Sequence, residues 1–178
     1  MELRIPFSRF VLNLLSALLV LGSSTSCSMW SSSGSACLRT TEPVRTEELR
    51  APKHVRQAYS LLRETQEFAS SAVDFAGVPS CEVVAFQTLL DSDVADQAFK
   101  SLLESATLEG QLYALSGLYF TDPESFAAHV ARYREMDDLV TTHFGCEIDR
   151  MSVAAVVGDP PVNIANGGWP QEFKDAFK

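Results

Sequence analysis

The chain has 178 residues, with a hydrophobic content of 46% and a charged content of 21%, values typical of a single globular domain. Its formal net charge is −9. An acidic chain repels phosphate backbones and gains nothing from anionic lipid head groups, so we expect neither nucleic acid as a partner nor membrane attachment through surface charge.

The first 26 residues have the order of a secretory signal sequence. Arg4 and Arg9 give a short basic start, residues 10–21 form a nearly continuous apolar run, and residues 22–26 are small. A helix that spans a bilayer needs about 20 apolar residues, and this run is shorter. The segment predicts export with residues 1–26 removed as a signal peptide; a weak membrane anchor is the alternative.

The small residues Ser24, Thr25 and Ser26 immediately precede Cys27. This arrangement resembles the lipobox of bacterial lipoproteins, in which the cysteine is acylated and becomes the mature N-terminus, although Ser24 stands where leucine is usual. The resemblance implies a lipid anchor at Cys27. Because Ser28 rather than aspartate follows, it favours the periplasmic face of the outer membrane. Ordinary cleavage without acylation is the alternative.

Composition divides the rest of the chain into a tether and a domain. Residues 28–36 are rich in serine and glycine, which is typical of flexible linkers. We therefore expect residues 27–50 to form a lipid-anchored tether and residues 51–178 to fold as one helical domain.

The four cysteines allow several pairings in an exported protein. If Cys27 is acylated, we favour a disulfide between Cys81 and Cys146, because both lie at predicted helix ends. Cys37 is then free or bonded to a partner protein. If Cys27 is not acylated, a Cys27–Cys37 bond becomes possible. No CxxC spacing occurs, so we expect no metal site.

Apolar residues at helical spacing predict five helices in the domain. The first runs from Pro52 to about residue 76, with Gly77 and Pro79 ending it. The second covers residues 81–90 after a Ser80 cap, and a third, capped by Asp91 or Ser92, carries apolar residues from 95 to 106. The fourth covers residues 108–120 after a Thr107 cap. It is apolar on most sides, which predicts a buried central helix with a close crossing along Gly110, Ala114 and Gly117.

A fifth helix is predicted over residues 122–144. Thr121 followed three residues later by Glu124 is the pattern of a capping box, and Pro123 suits a first turn. The apolar residues Phe126, Val130, Tyr133, Met136, Val140 and Phe144 form its predicted buried stripe, and Gly145 is its expected end.

Residues 83–98 align weakly with residues 112–127, each copy reading as helix, turn and helix. Over residues 80–144 this resembles the helical hairpins of HEAT-like solenoids. The helical patterns predict a mainly α fold, either a helical bundle or, as the resemblance implies, a short HEAT-like stack of antiparallel hairpins. We expect an irregular C-terminal extension. Within it, residues 151–157 are apolar and include β-branched residues, so they predict a short buried strand; the alternatives are a further helix or an apolar strap. Phe173 and Phe177 are four residues apart and favour a short terminal helix.

No catalytic constellation is evident in the sequence. His129 and His143 would be about 21 Å apart on one helix and cannot share a metal. His143 and Cys146 are a conceivable but weak nucleophilic pair, and Asp91, Asp93 and Asp96 lack the order of a calcium-binding loop. We therefore expect no cofactor. The predicted function is a lipid-anchored, non-catalytic helical module that binds another envelope protein. The alternatives are an enzyme or small-ligand binder with an inconspicuous site, and an inhibitor or immunity-type protein.

Overall fold

A computed structural model describes residues 49–176, and this part of the chain is mainly helical with a small three-stranded sheet. The predictions for residues 1–26, Cys27, Cys37 and Phe177 lie outside the described residues. The elements follow in the order α1 (Lys53–Glu64), β1 (Phe68–Val73), α2 (Cys81–Leu90), α3 (Ala95–Ser105), α4 (Leu108–Thr121), α5 (Pro123–Tyr133), β2 (Leu139–Gly145), β3 (Glu147–Ser152), α6 (Val153–Gly158), a 3₁₀ turn (Ile164–Asn166) and α7 (Gly168–Asp175).

Helices α2, α3 and α4 confirm three of the predicted helices to within one or two residues. Two of the predicted caps are also confirmed. The Ser80 hydroxyl accepts a hydrogen bond from the Val83 amide at 3.2 Å, and the Thr107 hydroxyl accepts one from the Gly110 amide at 3.1 Å. The predicted cap of α3 is wrong, because Val94 occupies that position without a side-chain hydrogen bond.

The central position of α4 is confirmed, since its residues 112–118 are all buried. The predicted close crossing along its small-residue face is confirmed as well. A Cβ atom added at Gly117 would lie 2.5 Å from the Phe99 ring of α3, and one added at Gly110 would collide with the carbonyl oxygen of Leu62 in α1. Glycine therefore lets α4 approach both neighbouring helices.

The first predicted helix is too long. Helix α1 ends at Glu64, and residues 68–73 form β1 instead of three further helical turns. The misleading signal was Ala69 and Val73, which are four residues apart. Residues four positions apart lie on one side of a helix, but residues separated by an even number of positions also lie on one face of a strand. Both residues are buried in the sheet.

The same ambiguity explains the error in the fifth predicted helix. Helix α5 ends at Tyr133, and residues 139–145 form β2. Val140 and Phe144 again lie four residues apart, and they belong to a strand in which Val140, Thr141 and Thr142 are β-branched. Gly145 therefore ends a strand, with a φ of +57°, and not a helix.

The predicted capping box at the start of α5 is also wrong. Asp122, not Thr121, is the N-cap, and its carboxylate accepts a hydrogen bond from the Ser125 amide at 3.0 Å. The Thr121 hydroxyl instead donates to the Gly117 carbonyl within α4. Lys100 of α3 lies 2.7 Å from the other Asp122 oxygen, and its ammonium, together with the Ser125 bonds, holds the pKa of Asp122 well below its ordinary value.

The sheet has the order β1–β2–β3, with β1 parallel to β2 and β2 antiparallel to β3. Helices α2 to α5 form the crossover between the parallel pair. The predicted strand over residues 151–157 is confirmed only at its start, because Ser152 caps α6, and the alternative of a further helix is confirmed from Val153 onward. The C-terminal extension is thus regular rather than irregular.

The core is centred on five aromatic rings from four different elements. Adjacent ring centroids in this cluster lie 4.7 to 6.4 Å apart. The terminal helix α7 contributes two of the rings, which confirms the predicted docking of Phe173. The members are Phe68 of β1, Phe86 of α2, Tyr113 of α4, and Trp169 and Phe173 of α7.

Candidate functional site

The two cysteines that were predicted to form a disulfide, Cys81 and Cys146, lie in different kinds of element. Cys81 begins α2 and is disulfide-bonded, but among the described residues no disulfide joins it to Cys146. Cys146 is an exposed residue of the turn between β2 and β3. The pairing was predicted from two helix ends, and because residues 139–145 are a strand, only Cys81 occupies a helix end.

The histidines do not form a metal centre. His143 lies on β2, where its Nδ1 is 3.4 Å from Glu67 Oε2, and His129 lies on the exposed side of α5. The helix that was expected to carry both does not exist. Within residues 49–176 no group of three or more histidine, cysteine, aspartate or glutamate side chains is close enough to hold a metal ion.

Two buried tyrosines have structural roles. Burial raises the pKa of Tyr113 well above its ordinary value, with the Glu82 carboxylate adding to the effect. Its hydroxyl oxygen accepts a hydrogen bond from the Ala69 amide at 2.8 Å, which joins α4 to β1. Burial also raises the pKa of Tyr133, whose hydroxyl donates to Gln111 at 2.8 Å. Both phenols are therefore neutral groups that hold the core together.

A mixed-charge concavity of about 490 Å³ lies where α1 begins and the α2–α3 turn approaches it. His54, Asp91 and Asp93 line it, together with Arg50. All four side chains are exposed. These aspartates therefore lie beside a histidine and an arginine on an open surface. They do not surround an enclosed site with the oxygen ligands that calcium requires.

Strands β2 and β3 form a hairpin around Gly145 and Cys146. The pairs run from Leu139 with Ser152 to Phe144 with Glu147. Gly145 has a positive φ at the first turn position, as the II′ type of hairpin turn requires. β3 pairs with β2 on one side, and on its other side the described residues supply no strand. Its free edge can therefore accept a further strand.

Large exposed apolar side chains are concentrated at this hairpin. Of the described residues, the ones in this class are Phe75, Leu139, Phe144 and Ile148, exposed by 91, 52, 49 and 62%. Three belong to β2 or β3. Phe75 follows β1 in a turn whose Asp74 amide donates to the Gly145 carbonyl at 2.9 Å, so it lies beside the hairpin tip. We call these four residues the hairpin surface.

The hairpin surface has two sides. Leu139 and Ile148 lie on the same face, because Ile148 pairs with His143 and alternate residues of a strand point the same way. Phe144 lies on the opposite face, where its ring stacks on Trp169 at 5.8 Å. Exposed apolar side chains therefore lie on both faces of the β2–β3 hairpin, and Ile148 is the member that belongs to the edge strand β3.

A second, acidic concavity lies at the other end of α1. It has a volume of about 400 Å³ and is lined mainly by the last turn of α1, by residues 65–67 and by Glu82 of α2. No lysine or arginine lines it. We call it the acidic groove.

None of the helices in residues 49–176 is long and apolar enough to cross a membrane. Comparison of the chain with protein-family models, with curated proteins and with solved structures gives no match.

Proposed function

We propose that this chain is an exported, lipid-anchored protein of the bacterial cell envelope that acts as a non-catalytic interaction module. Its partner is another envelope protein, and the contact is made at the hairpin surface. The observation that supports this most directly is that three of the four large exposed apolar side chains among the described residues belong to the β2–β3 hairpin, whose strand β3 has an open edge. Exposed apolar patches at such positions mark protein-binding sites.

Strand addition is the mode of binding that this geometry favours. An extended segment of the partner would hydrogen-bond to the free edge of β3 and place alternate side chains on the two faces of the sheet. On one face these would cover Ile148, and on the other they would lie beside Glu147 and Asp149. The two carboxylates favour a segment that carries basic residues.

The helices serve in this proposal as a rigid scaffold. We propose that α2 with α3, and α4 with α5, act as two successive helical hairpins of a short HEAT-like stack that holds the sheet. An engineered third copy of the α2–α3 unit, inserted after α5, would lengthen a true stack while keeping its cooperative unfolding. An insertion that unfolds the domain would contradict the repeat and leave the binding proposal intact.

Position-specific crosslinking tests the binding surface. A photoreactive side chain at Phe75 or Ile148 should capture one and the same envelope protein in cells, whereas the same group at the exposed Ala128 of α5 should not. Purified partner should then bind the chain in a 1:1 complex. Capture of the same protein from all three positions, or of unrelated proteins from the two surface positions, would refute the proposal.

Substitution gives the size of the effect. Full burial of an isoleucine side chain is worth about 1.5–3 kcal/mol, and Ile148 retains 62% of its exposure. Ile148→Arg should therefore weaken partner binding by about tenfold or more. Ala128→Arg adds the same charge at an exposed position and should have no effect on affinity. Both variants should keep the wild-type melting temperature.

The lipid anchor is tested separately. Cys27→Ser should abolish palmitate labelling and move the protein from the detergent phase to the aqueous phase, because two acyl chains suffice for stable anchoring. Cys146→Ser is the matched control and should partition like the wild type. An unchanged membrane fraction in Cys27→Ser would refute the anchor.

A further inference from the structure

The first residue of α2 carries a covalent bond to a part of the chain outside the described residues. Cys81 is disulfide-bonded, and its partner is not Cys146. The structure consists of one chain with four cysteines, so the second sulfur belongs to Cys27 or Cys37. The sequence alone allows several pairings, and the bonded state of Cys81 reduces them to these two.

Both candidates can reach Cys81 from the point where the chain enters the domain. Leu49 is buried in the core just before α1, and α1 and α2 are antiparallel, since Glu82 lies beside Thr65 at the end of α1. Cys81 therefore lies about one helix length, roughly 18 Å, from the start of α1. An extended chain covers about 3.3–3.6 Å per residue, so residues 38–48 alone can span up to about 40 Å. Distance does not choose between the two cysteines.

The chemistry of the two cysteines does choose. Acylation at Cys27, as proposed above, would occupy its sulfur, and an occupied sulfur cannot form a disulfide. Cys37 is then the remaining partner. We propose that Cys37 and Cys81 form a disulfide bond that fastens the tether to the start of α2. The choice of Cys37 over Cys27 rests on the proposed lipid anchor, whereas the presence of a bond at Cys81 does not.

Formation of this bond removes two protons and two electrons from the two thiols, and a protein disulfide of the envelope would accept them by exchange. The thiolate of one cysteine attacks this disulfide and forms a mixed disulfide, which the thiolate of the other cysteine then attacks. The Sγ–Sγ bond between Cys37 and Cys81 forms, and the oxidant leaves as a dithiol that carries the two electrons and the two protons. Such exchange belongs to oxidising compartments, which agrees with the proposed export.

Cys81 lies close to the hairpin surface. Val78 pairs with Val73, and the amide of the next residue, Asp74, donates to the Gly145 carbonyl at 2.9 Å. The short segment from Val78 to Cys81 covers at most about 10 Å. A bond at Cys81 would therefore fasten the tether beside the tip of the hairpin.

The bond would also shorten the free part of the tether. With it, residues 28–36 alone separate Cys27 from the attachment point, which gives a reach of at most about 35 Å. Without it, residues 28–48 would reach up to about 75 Å. The disulfide would thus hold the hairpin surface near the membrane, and its reduction would about double the distance that the domain can move away.

Disulfide mapping tests the pairing on the full chain, isolated from the envelope with its thiols blocked and without reductant. The wild type should give one bridged pair of tryptic peptides, one of which contains Cys81. No lysine or arginine lies between Cys27 and Cys37, so single variants identify the partner. Cys27→Ser and the control Cys146→Ser should retain the bridged pair, and Cys37→Ser should lose it.

The contrary results are distinct. A bridged pair that persists in Cys37→Ser would identify Cys27 as the partner and would overturn this proposal and the lipid anchor together. A blocked thiol at Cys81 in the wild type, or a disulfide-linked dimer on a non-reducing gel, would overturn the disulfide and leave the anchor intact. Circular dichroism of each variant verifies that the fold is retained.

A cleavage experiment tests the function of the bond. A site for a sequence-specific protease is inserted between residues 43 and 44, and the cleaved protein is partitioned between detergent and aqueous phases. The domain should stay in the detergent phase, because the disulfide still joins it to the lipid, and dithiothreitol should release it. In Cys37→Ser, cleavage alone should release the domain, and uncleaved wild type should stay in the detergent phase with dithiothreitol. Release of the cleaved domain without reductant would overturn the proposal. Partition of uncleaved wild type into the aqueous phase would refute the anchor and, with it, the choice of Cys37 over Cys27.

Discussion

Replacing Gly110 with alanine is expected to destabilise the domain, although a glycine-to-alanine change stabilises most helices. Gly110 lies in the first turn of α4, directly against the carbonyl oxygen of Leu62 in α1. An added Cβ atom would overlap that oxygen and would also lie 2.8 Å from the Cβ of Ala106. The obstacle is main chain, so no side-chain rotation can relieve it, and α1 and α4 must separate.

The expected magnitude follows from the contacts at this junction. Overpacking costs about 1–3 kcal/mol, and two hydrogen bonds from Thr107, to the carbonyls of Arg63 at 3.1 Å and Thr65 at 2.6 Å, would lengthen as the helices part. Each such bond contributes about 0.5–1.5 kcal/mol. The gain in helix propensity is at most about 1 kcal/mol. Because these bonds lengthen rather than break, only part of their contribution is lost, and the free energy of unfolding should fall by roughly 1–3 kcal/mol.

Thermal and urea denaturation followed by circular dichroism measure this change. For a domain of this size the melting temperature should drop by roughly 4–10 °C. Gly158→Ala is the control, because Gly158 also lies in a helix and an added Cβ atom would meet nothing within 4 Å. That variant should be as stable as the wild type or slightly more stable. If Gly110→Ala is as stable as Gly158→Ala, the close approach of α1 and α4 is wrong.

Two further predictions concern stability. Tyr113→Phe leaves the buried Ala69 amide without its acceptor and should lower the free energy of unfolding by about 1–3 kcal/mol in urea titrations; an unchanged midpoint would exclude that hydrogen bond. Asp122→Asn should be less stable than the wild type at pH 7. Lys100 and the Ser125 bonds lower the pKa of Asp122 in the folded state. The difference in the free energy of unfolding between the wild type and Asp122→Asn should therefore be fully present above about pH 3.9, the pKa of an aspartate in the unfolded chain, and should shrink as the pH falls below that value. A difference that does not vary between pH 7 and pH 3 would refute the role of the ionised carboxylate.

The helices that the sequence predicted well have unambiguous local signals. α2 and α4 each follow a Ser or Thr cap, and α4 combines all-round apolarity with small residues that predicted its close packing. The residues that misled were the pairs Ala69 and Val73, and Val140 and Phe144. Their spacing fits a helix and a strand equally, and only the pairing of β1 with β2 decides between the two.

The two surfaces could be anticipated only in part. The run of β-branched residues 140–142 next to Gly145 was a strand-and-turn signal in the sequence, and it was outweighed by the longer helical stripe. The acidic groove had no such signal, because Ser60, Glu67 and Glu82 belong to three separate segments. Their proximity depends on how α1 and α2 pack.

The sequence by itself determined the local features of this protein: its acidity, the starts and ends of α2 and α4, and the buried nature of α4. These depend on side chains a few positions apart, which interact in any compact form of the chain. Only the tertiary structure decided that residues 68–73 and 139–145 are neighbouring strands, and that apolar side chains remain exposed on both faces of the β2–β3 hairpin. Strand pairing joins backbone groups about 70 residues apart, and the free energy of that contact is not encoded in either segment alone.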